Sequence, residues 1–175
     1  IRREDTEDYI EVTPSCCTGN HILNRYFQSQ EPVQPVAPIE WTAEQVFSLA
    51  DRFAEGMPLH GKTWATHSCF LAWGDELLFQ CEDIGRHNAM DKAIGYALRH
   101  GVNLRECMVY SSGRIPTDMA IKAIRAGIPL LASKASPSRE AVALAQEYNL
   151  TLVCAARRDR MKLFAGTPPV TNEKE

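Results

Sequence analysis

At 175 residues, 45% apolar and 23% charged, the chain is long enough to bury one core and too apolar to be disordered throughout. A formal net charge of -3 gives no general basic field, so nucleic acid is not expected as a partner and a phosphorylated ligand would have to be met by local charge. No apolar run approaches the roughly 20 residues of a bilayer span, and residues 1–5 are not a signal peptide, which reads as a cytoplasmic protein without membrane association.

The chain starts without methionine inside a polar stretch, as if partway into a longer protein. Residues 1–40 read as a flexible arm. Within it Thr13-Pro14-Ser15-Cys16-Cys17-Thr18-Gly19-Asn20-His21 puts two adjacent thiols among turn formers, and Pro32, Pro35 and Pro38 then favour an extended connector. The domain is expected over 41–166. Thr42 and Gln45 have capping-box spacing, and Val46, Leu49, Ala50 and Phe53 follow at helical period up to Gly56. Apolar runs at 64–73 and 76–81, joined by Gly74-Asp75, predict a β-hairpin. Helical period returns over 86–100 through Ala89, Met90, Ala93, Ile94 and Ala97, and ends at Gly101. Beyond it a strand is predicted at 107–110, a helix near 117–126 and a strand at 128–132. A helix from Ser136 with Pro137 in its first position follows, then strands at 151–156 and 161–165 and a loose tail at 167–175. Strands alternating with helices predict an α/β fold, a mixed sheet covered on both faces.

Of the six cysteines, Cys69, Cys81, Cys107 and Cys154 fall in strand-like apolar runs, where a thiol behaves as a small hydrophobe, and a disulfide scaffold is not expected. His21, His60, His67, His87 and His100 lack ligand spacing with the cysteines, so no structural metal is expected.

The polar segments each follow a strand: Glu82-Asp83-Ile84-Gly85-Arg86-His87-Asn88, Ser111-Ser112-Gly113-Arg114, Ser133-Lys134-Ala135-Ser136-Pro137-Ser138 and Arg157-Arg158-Asp159-Arg160. In a parallel sheet such segments share one edge, where ligands of these folds bind. Small hydroxyls, glycine backbone, helix N-termini and Arg86, Arg114, Lys134, Arg157, Arg158 and Arg160 would together suit phosphate oxygens. Three of the segments also have a plainer reading: 157–160 as a solvated hairpin turn, 111–114 as an ordinary loop, Asp83 and His87 as a helix start with a satisfied histidine.

The stretch Glu82-Asp83-Ile84-Gly85-Arg86-His87-Asn88-Ala89-Met90-Asp91-Lys92 resembles the signature of the formate dehydrogenase accessory sulfurtransferases. Thr66-His67, Ser111-Ser112-Gly113-Arg114, Gly127-Ile128-Pro129, Ser136-Pro137-Ser138 and Leu150-Thr151-Leu152-Val153 agree in order and spacing, over roughly residues 12–165. The resemblance implies a three-layer α/β/α sandwich similar to cytidine deaminases, with most of the family's smaller N-terminal part lacking here. It also implies a homodimer that carries persulfide sulfur from a cysteine desulfurase to a molybdenum or tungsten bis-pterin guanine dinucleotide for formate dehydrogenase. Guanosine diphosphate would mimic that ligand.

By the same resemblance Cys16 is the persulfide carrier. Gly19 stands where the family's Cys-x-x-Cys has its second cysteine, leaving Cys17 as the candidate resolving thiol. Arg86 and Arg114 become phosphate partners, Asp83, His87 and Asn88 orienting groups, and Ser112, Gly113 and Ser136 cofactor contacts. Ala155, Ala156, Arg157, Arg158, Asp159 and Arg160 form the cofactor-binding segment. A cofactor-binding chaperone without sulfur transfer is the alternative. Deaminase chemistry is not expected, because the His-x-Glu and Pro-Cys-x-x-Cys ligands are missing.

Overall fold

The computed structural model describes residues 32–171, and the compact unit begins at Val33. In chain order its elements are helices α1 (Ala43–Glu55) and α2 (Pro58–Thr63), strands β1 (His67–Trp73) and β2 (Glu76–Asp83), and helix α3 (Arg86–His100). After a 3-10 turn at Leu104–Glu106 come β3 (Met108–Ser111), α4 (Thr117–Arg125), β4 (Leu130–Ser133), α5 (Arg139–Glu147), β5 (Thr151–Arg157) and β6 (Arg160–Ala165).

The six strands form one sheet in the order β2-β1-β3-β4-β5-β6. Its middle is parallel, β3 with β4 and β4 with β5, and β1–β2 and β5–β6 are antiparallel hairpins at its two sides, β1 also running antiparallel to β3. Side chains alternate across it as the strand period requires. Cys69, Leu71, Val109, Leu131, Leu152 and Cys154 share a core with Met90 and Ala93 of α3, Met119 and Ala123 of α4, and Ala141 and Ala145 of α5. Phe70, Ala72, Met108, Tyr110, Leu130, Ala132 and Val153 face Val46, Leu49, Ala50 and Phe53 of α1 on the other side. The three-layer mixed α/β architecture is therefore as expected.

The capping box is made in full: Gln45 N–H donates to Thr42 Oγ1 and the Gln45 side chain accepts from Thr42 N–H. Gly101 closes α3 in the left-handed region, φ +68°. Several boundaries differ from expectation. The short α2 had no periodic signal, and Trp64, left-handed at φ +53°, ends it, so β1 begins only at His67. Helix α5 is capped by Ser138, whose Oγ accepts from Ala141 N–H at 3.1 Å; residues 136–138 are held extended because Ile115 N–H donates to Ser136 O and Ser138 N–H to Ile115 O.

Two stretches expected to be loose are packed. Val33 and Val36 lie against one core and Ile39 against the other, and Val36 N–H donates to Tyr148 O at 2.9 Å. Buried Trp41 donates its indole N–H to Thr167 O at 2.9 Å, and Val170 N–H donates to Trp41 O. Apolar side chains set between the prolines find the core margins, and the backbone follows them.

After β6 the chain turns at Gly166, φ +89°, where a Cβ would collide with Thr151 Cα and come within 2.6 Å of its Oγ1. Gly166→Ala combines backbone strain with a clash against a buried residue. A loss of about 3 kcal/mol is expected, read as a fall of roughly 6–12 °C in Tm by calorimetry.

Candidate functional site

Strand directions bring the C-terminal ends of β2, β3, β4 and β5 and the N-terminal end of β1 to one edge. All four polar segments reach that edge because β3, β4 and β5 are parallel and β2, like β3, runs antiparallel to β1. A belt of hydrogen bonds joins them. Ser68 N–H donates to Ser112 Oγ at 2.9 Å and Ser112 N–H to Ser68 O at 3.0 Å. Gly113 N–H donates to Ser111 Oγ at 3.2 Å, and Ser133 Oγ–H donates to Gly113 O at 2.6 Å. Ala135 N–H donates to Ser133 Oγ, Lys134 N–H to Ser111 O, and Ala155 N–H to Ala135 O.

On the α3 side of the edge Arg86 is the first residue of its helix, and no side chain caps the N-cap Gly85. Gly113 makes room for Arg86: a Cβ there would lie 3.0 Å from Arg86 Cβ and 3.3 Å from His67 Nδ1. Arg86 Nε is buried without a hydrogen-bond partner among the described residues, as is the Ser68 hydroxyl. A buried guanidinium donor without a partner is costly and calls for an acceptor from outside, best an anion. His67 is half-buried, 3.5 Å from Ser112 Oγ. Burial first, then the charges of Arg86, His60 and His87, push its pKa below the ordinary imidazole value.

His87 is buried, and its Nε2 lies 3.1 Å from Asp118 Oδ2 at the start of α4. Burial pushes the Asp118 carboxyl up, but the His87 contact, the Met119 N–H and the Arg86 charge outweigh it and hold it below the usual carboxylate range. Asp83 braces the start of α3: it accepts from Gly85 N–H at 3.0 Å and Asn88 Nδ2 at 3.1 Å and pairs with Lys92 Nζ at 2.7 Å. Glu82 accepts from the N–H groups of Leu59 and His60 and from Thr66 Oγ1, anchoring α2 to the same edge.

On the α1 side a cleft of about 320 Å³ lies between α1 and the β5–β6 turn. Ala50, Phe53 and Ala54 give it an apolar wall, and Lys134, Arg157, Arg158 and Arg160 a cationic rim; Lys134 Nζ sits 4.7 Å from the centre of the Phe53 ring. The turn exists because Ala155 takes φ +52° and the β5–β6 register slips between Cys154 and Arg157, a bulge that re-aims the residues after it. Ala156 stays buried and its carbonyl accepts from Tyr110 Oη–H at 3.0 Å. Thus 157–160 is both a hairpin turn and a wall of the cleft. Arg158 Nε lies 3.6 Å from Asp51 Oδ1.

Of the residues singled out from sequence, Arg86, His87, Asn88, Asp83, Ser112 and Gly113 gather on the α3 side, and Ala156, Arg157, Arg158, Asp159 and Arg160 line the cleft. Ala155 sets the bulge between them, and Arg114 and Ser136 are exposed at the edge. The expectations for Cys16 and Cys17 lie outside the described residues. His67, Asp118 and the Glu82 anchor were not among the predicted site residues. Thr66-His67 had stood out only as part of the family resemblance, and Asp118 lay unmarked in the helix predicted near 117–126.

A family model described as the FdhD/NarQ family matches residues 2–170. The sulfur carrier protein FdhD of Listeria monocytogenes is 31% identical over 160 residues, covering 90% of this chain and 61% of that protein. The sulfur carrier protein FdhD of Streptomyces coelicolor is 38% identical over 141 residues, covering 79% of this chain and 50% of that one. A crystal structure of a Desulfotalea psychrophila protein assigned as a formate dehydrogenase accessory protein superposes with a TM-score of 0.70 at 34% identity, covering 75% of this chain and 59% of that one. The chain therefore spans about half to three fifths of the length of these relatives.

The Lys92 contact, the Gly85 N–H and the Asn88 amide hold Asp83 at a pKa of about 2, below the ordinary 3.8. A depressed carboxyl stabilises the fold above its unfolded pKa and loses that contribution as pH falls through the folded value. Lys92 is half exposed, which screens the pair. In urea unfolding Asp83→Asn is expected to lower stability by about 1 kcal/mol at pH 6, and the gap to wild type is expected to close between pH 4 and pH 2.

Proposed function

The chain belongs to the FdhD/NarQ family, and on that premise we propose that it serves formate dehydrogenase maturation as a sulfur carrier. It takes persulfide sulfur from a cysteine desulfurase and delivers it to a molybdenum or tungsten bis-pterin guanine dinucleotide, which it binds as substrate. The observation that carries this reading is the sheet edge, where a buried arginine donor without a hydrogen-bond partner among the described residues and a cationic cleft with an aromatic wall offer what an anionic, planar ligand would need.

The ligand divides naturally over these features. Phe53 and its alanine neighbours suit the face of a guanine, and Lys134, Arg157, Arg158 and Arg160 its pyrophosphate. Arg86 and exposed Arg114 offer further phosphate contacts, with Ser112, Gly113 and Ser136 lining the approach. Asp83, Asn88 and the His87–Asp118 pair keep the start of α3 in place, so that Arg86 is held ready before the ligand arrives.

The thiols narrow the carrier to the N-terminal pair. Burial pushes Cys69, Cys81, Cys107 and Cys154 all up from the ordinary thiol value, Cys107 to about 11 and Cys154 to about 12. Such thiols are poor nucleophiles. Cys16 thiolate attacks the terminal sulfur of the donor persulfide, forming a new S–S bond and releasing the donor thiolate. As the candidate resolving thiol, Cys17 attacks the Cys16 sulfur as thiolate, forming a Cys16–Cys17 bond and expelling the outer sulfur as hydrosulfide. The protein acts in the cytoplasm as a homodimer.

Incubation with a cysteine desulfurase and cysteine is expected to add one sulfur, by intact mass, to wild type and Cys17→Ala but not to Cys16→Ala. No added sulfur in any variant would leave a cofactor-binding chaperone. In calorimetric titration with guanosine diphosphate, Arg86→Ala is expected to weaken binding roughly 10- to 100-fold, the range of one to two charge-assisted hydrogen bonds. Unchanged affinity there, or no binding by wild type, would count against the anion-binding edge.

A further inference from the structure

The β1–β2 hairpin sets two cysteines directly opposite each other, Cys69 facing Cys81 in the antiparallel register. Facing residues of an antiparallel pair present their side chains on the same face, with Cα atoms roughly 4.5 or 5.5 Å apart according to the hydrogen-bonding pattern. Both values lie inside the range of about 4.4–6.8 Å that a disulfide spans. Neither thiol is bonded. Their surroundings differ. Cys69 is wholly buried in the core beneath α3, and Cys81 is half-buried at its margin, with its Sγ–H donating to Ala89 O at 3.2 Å.

We propose that Cys69 and Cys81 are an oxidative modification site, a cross-strand dithiol that closes to an intramolecular disulfide on reaction with a small-molecule disulfide. Cys81, the accessible partner, attacks as thiolate and forms a mixed disulfide, releasing one small thiol. Cys69 then attacks the Cys81 sulfur, the Cys69–Cys81 bond forms, and the second small thiol leaves. The two protein thiols lose two electrons and two protons, and the reagent takes up both as two thiols. The second step needs no solvent access, because the only sulfur Cys69 must reach is already its neighbour.

The surroundings make the pair slow at neutral pH. Burial pushes both thiols up. Around Cys81 the Lys92 charge favours the thiolate, and Asp83 and Glu82 oppose it; Asp91 opposes ionisation of Cys69. The cross-link lies two residues along each strand from the facing pair His67 and Asp83 at the candidate site. Closing it fastens the hairpin at that edge. Neither thiol takes part in the proposed sulfur transfer, so the two readings stand or fall separately.

The test uses the full chain with Cys16→Ser and Cys17→Ser, which removes exchange with the N-terminal pair. The folded protein is treated with oxidised glutathione at pH 7 and pH 9, alkylated, and mapped by peptide mass spectrometry. The expected product is a linked peptide pair containing Cys69 and Cys81. It should form several-fold faster at pH 9, with Cys107 and Cys154 still alkylated after unfolding and a Tm several degrees above the reduced protein. Adding Cys69→Ala should stop the reaction at a glutathione adduct on Cys81. Should Cys69 and Cys81 both remain alkylatable, or should Cys81 stop at the adduct with Cys69 present, the proposal fails.

Discussion

Two buried serine hydroxyls at the ends of adjacent parallel strands organise the edge on which the candidate site is built. Ser111 and Ser133 close β3 and β4, both almost wholly buried, and a buried hydroxyl must find partners. They find them in the loops: Ser111 Oγ accepts from Gly113 N–H, and Ser133 Oγ accepts from Ala135 N–H while donating to Gly113 O. Turning at those points, the two loops become one rigid lip instead of two mobile connections. Gly113, caught between both serines, has no Cβ, and that gap is where Arg86 and His67 lie.

The lip explains how positive charge can sit partly buried without a carboxylate bonded to it. Arg86 is held by packing against Gly113 and by its place at the head of α3, which Asp83 and the His87–Asp118 pair fasten. The acids nearest the site already serve other donors: Asp83 holds Lys92, Asp118 meets His87, and Glu82 takes the Leu59 and His60 amides. Structural carboxylates thus secure the scaffold around Arg86, whose buried Nε is left without a hydrogen-bond partner among the described residues.

The Ala155 bulge does the same work on the other face. A regular β5–β6 hairpin would run the arginine turn straight on from the sheet. The register slip and the left-handed Ala155 bend it over α1, so that Arg157, Arg158 and Arg160 meet Phe53 and Lys134. A non-glycine residue in that region is strained. The Ala155 N–H bond to Ala135 O and the Tyr110 hydrogen bond to Ala156 O hold it there.

By itself the sequence determined every helix and strand except α2, and their order, because these depend on local signals. Helical period with caps marked α1 and α3, and alternating apolar runs marked the strands. The polar segments after β2, β3, β4 and β5 identified the edge, since parallel strands share it whatever the loops do. Local signals could not place α2, which is too short for a period and is held by Glu82 from a distant strand, nor the packing of Val36 and Trp41, whose partners Tyr148 and Thr167 lie more than a hundred residues on. Only the tertiary structure joined His67 to Arg86 and Ser112, His87 to Asp118, and Cys69 to Cys81. Each of those pairs is made by strand register or by a helix start meeting another element, and register is a property of two segments packed together that neither carries alone.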